Sequence, residues 1–283
     1  MTPLVDFMII GAQKCGTTGL ARQLAEHPRI AFSRIKEPGF FNREPQWQTH
    51  IDRYHELFDP EPGKLCGEGS TMYTFLPEGA GTAERIHAYN AELKLIYIVR
   101  QPVERVVSHY AHRLGHKRVS APPEQEVLQQ PSYINRSRYG VQIRPYLELF
   151  GRQNVLLLIF EEYIADPAAA LQTVADFLGI DSDGFRAADA AEPANPSAGQ
   201  SRWGPLMSRL TRLRVLRRML MPLVPARARR AAMQRIGVRL ESKPQFSREL
   251  KQLIWRLVYD DVCTIEALLG RRLNVWRAGY EDR

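Results

Sequence analysis

Short apolar runs alternate with longer stretches of helical period along the first 180 or so residues of this chain. A parallel sheet covered by helices is the architecture that uses both periods in that order, because its strands are buried on two faces and its crossovers are amphipathic. The predicted strands are residues 5–10, 29–32, 64–67, 93–99 and 154–160. Helices are expected at 17–27, 80–90, 102–116, 136–150, 167–178 and, after a long gap, 247–269. Pro102 and Pro167 fall at first helical positions, where a missing N–H costs nothing, and Asp166 is placed to cap the second of these. Gly179 and Gly270 are the expected stops. The sequence therefore reads as α/β, one domain over 1–283, with a single central parallel sheet flanked by helices.

The gap has its own character. Residues 181–204 are rich in Ala, Asp, Pro, Ser and Gly and read as a loop. Residues 202–240 then carry eleven arginines and no acid, interleaved with Leu206, Leu210, Leu213, Leu216, Leu220 and Leu223 at helical spacing. The segment 181–240 is thus expected to be a loop plus a basic amphipathic helix, interrupted by Pro222 and Pro225 and inserted within the domain. It also holds the charge. The whole chain has 39 Lys and Arg against 31 Asp and Glu, a net +8, but residues 202–243 alone hold 12 Lys and Arg and one acid, Glu241. The remainder is mildly acidic, so any anion it binds must be met by a few placed cations.

Composition excludes collagen and low-complexity disorder, with 44% hydrophobic residues. Three scattered cysteines, Cys15, Cys66 and Cys263, suit neither a disulfide framework nor a zinc site. With no leader-like or membrane-spanning run, the expected location is cytoplasmic, and no metal site is expected.

The chemistry starts at Gly11-Ala12-Gln13-Lys14-Cys15-Gly16-Thr17-Thr18, between the first strand and the first helix. Glycines allow a tight turn there, and the N–H groups of Gly16, Thr17 and Thr18 at a helix N-terminus can cradle a phosphate. A nucleoside triphosphate loop would carry lysine directly after its second glycine. Here lysine precedes that glycine by two residues, so the pattern of an ATP-using P-loop kinase fails at its key position. Arg100 ends the fourth predicted strand and so faces the same crevice as the loop. Ser108, about two turns into the next helix, can turn its hydroxyl toward the same place. A guanidinium and a hydroxyl set apart from the loop point to a second phosphate on one nucleotide, unless Arg100 merely pairs with Glu104.

These residues resemble the sulfotransferases that use 3'-phosphoadenosine 5'-phosphosulfate (PAPS), in particular the carbohydrate branch that includes heparan sulfate sulfotransferases and bacterial relatives. The matching pieces are Gly11-x-x-Lys14-x-Gly16-Thr17-Thr18, Lys36-Glu37-Pro38-x-Phe40-Phe41, and Arg100-x-Pro102-x-x-Arg105-x-x-Ser108-x-Tyr110. Glu161-Glu162-Tyr163 and the stretch from Lys243-Pro244 to Trp276 also match. The resemblance implies a P-loop-like sulfotransferase fold. It implies that Lys14, Cys15, Gly16, Thr17 and Thr18 hold the 5'-phosphosulfate, that Arg100 and Ser108 bind the 3'-phosphate, and that Lys243 belongs to the nucleotide site. It further implies a reaction without metal that leaves adenosine 3',5'-bisphosphate, with Lys14 stabilising the leaving oxygen and Glu37 as the base for a hydroxyl acceptor. The lesser alternative for Glu37 is a structural salt bridge with Lys14, Lys36 or Arg34, and His109 and His112 are alternative bases of lower rank. One departure stands out: heparan-type relatives carry Glu-Lys-Thr/Ser-Pro-x-Tyr where this chain has Glu68-Gly69-Ser70-Thr71-Met72-Tyr73. The lysine of that pattern is Gly69 here.

Two other readings compete. One is the ATP-dependent kinase; the other is a non-catalytic protein that binds an anionic membrane or nucleic acid through 202–240, although that segment lacks the aromatic interleaving of single-strand binders. Under the sulfotransferase reading nucleic acid is not an expected partner, and 202–240 becomes a flank for an anionic or amphiphilic acceptor or a peripheral membrane contact.

Overall fold

The computed structural model describes residues 4–116, 118–185 and 244–280. The apolar runs form β1 (Phe7–Gly11), β2 (Ile30–Phe32), β3 (Leu65–Gly69), β4 (Lys94–Val99) and β5 (Val155–Ile159). They make one sheet in the order β2-β3-β1-β4-β5, and every neighbouring pair is parallel. β1 is buried along its whole length and β4 at all but its first residue, which is why both read as continuous apolar runs. Since the chain crosses from β3 over β1 to β4, the loops after β1, β3 and β4 diverge around one crevice at the carboxyl ends of the strands.

The helices are α1 (Thr17–Glu26), α2 (Phe40–Arg43), α3 (Trp47–His55), α4 (Thr82–Tyr89), α5 (Pro102–Gly115) and α6 (Pro123–Gln129). There follow α7 (Ser132–Asn135), α8 (Tyr139–Phe150), α9 (Phe160–Ala165), α10 (Pro167–Leu178), α11 (Arg248–Leu269) and α12 (Asn274–Arg277). A 3-10 turn spans Thr71–Thr74. The expected caps hold: Asp166 accepts from the Ala169 N–H at 3.0 Å, and Gly179 and Gly270 close their helices with left-handed φ of 75° and 67°. The helix expected from residue 80 starts at Thr82 because Gly81 is itself left-handed. α2, α3, α6, α7 and α9 are additional to the expected helices; α2 and α7, of four residues each, are too short to display a full amphipathic period.

The C-terminal elements are bonded to the body. Asp261 of α11 accepts from the Val141 N–H at 2.9 Å and from Arg138 at 3.2 Å, fixing α11 across α8. Trp276 is fully buried; its Nε1 donates to Glu161 at 2.9 Å and its carbonyl accepts from Gln101 Nε2 at 3.3 Å. Glu161 also accepts the Gln101 N–H at 2.9 Å, so the peptide after Arg100 is pinned from two sides. The basic helix expected at 202–240, the insertion it belongs to, and Lys243 lie outside the described residues. Among the described residues no helix is long and apolar enough to cross a membrane.

Candidate active site

The loop after β1 is shaped by what surrounds it. A Cβ on Gly11 would stand 2.7 Å from the Tyr97 ring, and one on Gly16 would stand 2.7 Å from the Phe160 ring. Gly16 also has φ of 90°, so both packing and backbone demand glycine at the entry to α1. Gly16 is the N-cap of α1 and offers no side-chain cap, which leaves the first N–H groups of the helix for an anion. Lys14 is left-handed as well, with φ of 69°. Cys15 turns its thiol into the core, where Sγ lies 3.7 Å from Tyr139 Oη, and burial pushes that thiol up to about 11. Its side chain is therefore turned away from the crevice, and its main-chain N–H donates to the Ala12 carbonyl at 3.2 Å.

Lys14 is held down to about 8, first by burial and then by the charges of Lys36, Arg100 and Arg105. Two of these cations, Lys36 and Arg100, stand on the loops after β2 and β4, and Arg105 stands on α5. Lys36, after β2, donates from Nζ to Thr18 Oγ1 at 2.7 Å. Arg100 ends β4, lies over the Phe160 ring at 4.9 Å, and has its carbonyl bonded by Tyr139 Oη at 2.8 Å. The suspected pair with Glu104 is present at 3.8 Å, long enough to leave the guanidinium available to a stronger partner. Ser108 is half-buried on α5, on the same stripe as Glu104 and His112, while residues 105–107 and 109–111 between them are buried. Arg105 lies behind the loop, fully buried, donating to Ser137 Oγ at 2.6 Å and to the Tyr133 carbonyl at 2.5 Å.

Glu37 borders this crevice in a left-handed turn, φ 52°, and its carboxylate accepts from Thr71 Oγ1 at 3.2 Å. Arg34, one of its suspected partners, pairs instead with Asp59 at 3.5 Å. The turn is tied down a second time: the Gly39 N–H donates to Ser70 Oγ at 2.9 Å, and Ser70 Oγ donates to Glu68 at 2.6 Å. Glu68 is fully buried and also accepts from Tyr54 Oη at 2.9 Å and Tyr73 Oη at 2.5 Å. The residues 68–74, in which the resemblance departs from pattern, thus hold the Glu37 turn from below.

The two histidines fare differently as bases. His109 is buried against Tyr133, and desolvation with the charges of Arg105, Arg136 and Arg113 drives its proton affinity far down. His112 is half-buried and is pushed down to about 4, first by burial and then by Lys14. Both are therefore neutral near pH 7 and surrounded by cations that oppose proton uptake.

Burial pushes Glu68 up from 4.5 to about 7, against the three hydroxyl bonds. Between those two values the folded protein keeps a proton that the unfolded chain has released, so stability from this group falls as pH rises. The Glu68→Gln variant lacks the titration. Its stability relative to the parent should improve by on the order of 2 kcal/mol between pH 4.5 and 7, read as melting temperature against pH. A constant difference would show that Glu68 does not titrate in that window.

Lys36, Glu68 and Phe160 escaped the sequence reading as site residues. In the sequence Lys36 stands out only within its motif and as a possible partner of Glu37, and nothing there says that the loop after β2 reaches α1. Among the described residues no group of His, Cys, Asp and Glu is arranged to hold a metal ion.

A family model described as "Sulfotransferase domain" matches residues 4–193. Heparan sulfate glucosamine 3-O-sulfotransferase 3B1 of Mus musculus is 29% identical over 192 residues, covering 62% of this chain and 46% of that protein. The membrane-associated sulfotransferase kil1 of Dictyostelium discoideum is 36% identical over 126 residues, 42% of this chain and 26% of that protein. The chain thus spans about half the length, or less, of these relatives. The crystal structure of a sulfotransferase from Alicyclobacillus acidocaldarius superposes with a TM-score of 0.67 at 25% identity, over 96% of this chain and 98% of that one.

Proposed function

The chain belongs to the sulfotransferase-domain family, and from that premise we propose that it transfers the sulfuryl group of PAPS to a hydroxyl acceptor. The observation that carries the reading is the meeting of Lys14, Lys36 and Arg100 around the uncapped start of α1, with lysine on the loop before the glycine. Lys14 and the N–H groups of Gly16 to Thr18 would hold the 5'-phosphosulfate; Arg100, with Ser108 on the half-buried stripe of α5, would take the 3'-phosphate. The acceptor oxygen attacks sulfur as the bond from sulfur to the 5'-phosphate oxygen breaks. The electron pair stays on that oxygen beside Lys14, the acceptor proton goes to Glu37, and adenosine 3',5'-bisphosphate leaves. Such displacement needs positioning and charge stabilisation more than covalent help from the protein.

The same reading takes the chain as one domain and, since Cys15, Cys66 and Cys263 are free thiols, suits a reducing, cytoplasmic setting. Calorimetry with PAPS, adenosine 3',5'-bisphosphate, ATP and AMP tests it. The bisphosphate should bind at least about tenfold more tightly than AMP, the share of a charge-assisted second phosphate contact. Arg100→Ala should erase that preference while leaving AMP binding nearly unchanged. Equal affinity for AMP and the bisphosphate in the parent would sink the assignment of the 3'-phosphate to Arg100, and tightest binding of ATP would favour a kinase.

A further inference from the structure

The heparan-type pattern places a lysine where this chain has Gly69, and that lysine would be the second cation at the sulfate. Packing does not demand the loss. Gly69 pairs in register with Ile9 at the end of β3, and a Cβ there would make ordinary contacts, 3.5 Å to Ile9 and 3.6 Å to its Cδ1, with the Phe32 ring at 3.7 Å. Its φ is not among the left-handed ones of this chain. A side chain is tolerated at 69, yet the cation is gone from that strand.

The neighbouring loop supplies one. Lys36 follows β2, the strand beside β3, and its ammonium reaches Thr18 Oγ1 at 2.7 Å in the first turn of α1. Of all the charges that bear on Lys14, that of Lys36 is the largest. The charge of Lys36, at the exposed rim, disfavours that of partly desolvated Lys14, because like charges repel. The arrangement becomes favourable when an anion lies between the two lysines, on the helix N-terminus they flank. Lys36 is also joined directly to Glu37, so the turn that presents the carboxylate to the acceptor presents the ammonium to the donor.

The geometry points to Lys36 as the second sulfuryl-binding cation of this protein, serving from the loop after β2 in place of a lysine at position 69. The assignment rests on the reading of the crevice as a PAPS site. It makes Lys36 a catalytic residue: its Nζ bonds a sulfuryl oxygen or the bridging oxygen, and with Lys14 it meets the charge that collects on that oxygen as the bond to sulfur breaks. A contact at the sulfuryl end has a signature that a general phosphate contact lacks. PAPS has the sulfuryl group and adenosine 3',5'-bisphosphate does not.

The test compares the two nucleotides by calorimetry on the full chain and on Lys36→Ala, Lys36→Gln and Lys36→Arg. Lys36 is exposed at the surface, so these variants should fold, and their melting curves verify it. Lys36→Ala should weaken PAPS at least tenfold while weakening the bisphosphate less than threefold. Lys36→Gln, which keeps a donor for Thr18 but no charge, should resemble Lys36→Ala; Lys36→Arg should stay within about fivefold of the parent for PAPS. Equal losses on the two nucleotides, no loss on either, or parent-like PAPS binding by Lys36→Gln would each overturn the assignment. A parent protein that binds neither nucleotide would overturn the PAPS reading itself, a result distinguishable from all of these.

Discussion

Lys14→Ala is expected to lower PAPS turnover by about 10²–10³, the usual cost of removing one placed donor from a developing oxyanion. Turnover is followed as release of adenosine 3',5'-bisphosphate. The size of the effect follows from where the residue is: behind a glycine-bounded turn, partly desolvated, with three cations for neighbours. An ammonium in that environment interacts with an anion through a lower dielectric than a surface lysine would. The same burial predicts a pH signature. With Lys14 at about 8, the free enzyme loses the charge as pH rises through that value, so kcat/KM for PAPS should fall above pH 8, approaching tenfold per unit. The Lys14→Ala variant should lack that limb. The stability sign is opposite: between about 8 and 10.5 the unfolded chain holds the proton that folded Lys14 has lost, so this group's contribution makes the free protein more stable as pH rises. Binding a multiply charged nucleotide near pH 8.5 should therefore take up protons, measurable by calorimetry in buffers of different ionisation heat. No proton uptake and a turnover unchanged by Lys14→Ala would remove Lys14 from the phosphosulfate.

The contrast between Lys14 and Lys36 shows what the chain discloses in one dimension. Lys14 is legible because a glycine pair, a preceding strand and a following helix fix its place within eight residues. The five strands were legible for a similar reason, as sheets buried on both faces leave uninterrupted apolar runs. Lys36 depends on a contact across the sheet with Thr18, 18 positions earlier in the chain, and the intervening sequence gives no hint of it. Glu68 is harder still: as sequence it is one acid in a weakly matching motif, and only the fold gathers Tyr54, Ser70 and Tyr73 onto it. Phe160 is a third such case, an aromatic residue that packs under Arg100 and blocks any side chain at Gly16, tying the loop after β1 to the end of β4. Residues that carry local backbone geometry could be read; those that join separate loops could not.

Glu37→Gln should lower kcat by about 10²–10⁴, the range for loss of a positioned general base, while affinity for adenosine 3',5'-bisphosphate stays within about twofold. Glutamine suits the test because its carbonyl oxygen can still accept from Thr71 Oγ1, so the left-handed turn and the Gly39–Ser70 bond are not asked to change. What it removes is the ability to take the acceptor proton. The carboxylate is not consumed by an ion pair with Arg34, and its bonded partner is a neutral hydroxyl, which leaves its second oxygen for the acceptor. His112, the other candidate base on the crevice side, is opposed by Lys14 and Lys36, whose charges disfavour a second proton where the donor's anion has not yet been bound. Nucleotide binding weakens that opposition, and here the two candidates separate. If His112 were the base, Glu37→Gln would leave kcat almost unchanged and His112→Ala would reduce it. A loss of bisphosphate affinity equal to the loss of kcat would instead place Glu37 in the architecture of the donor site.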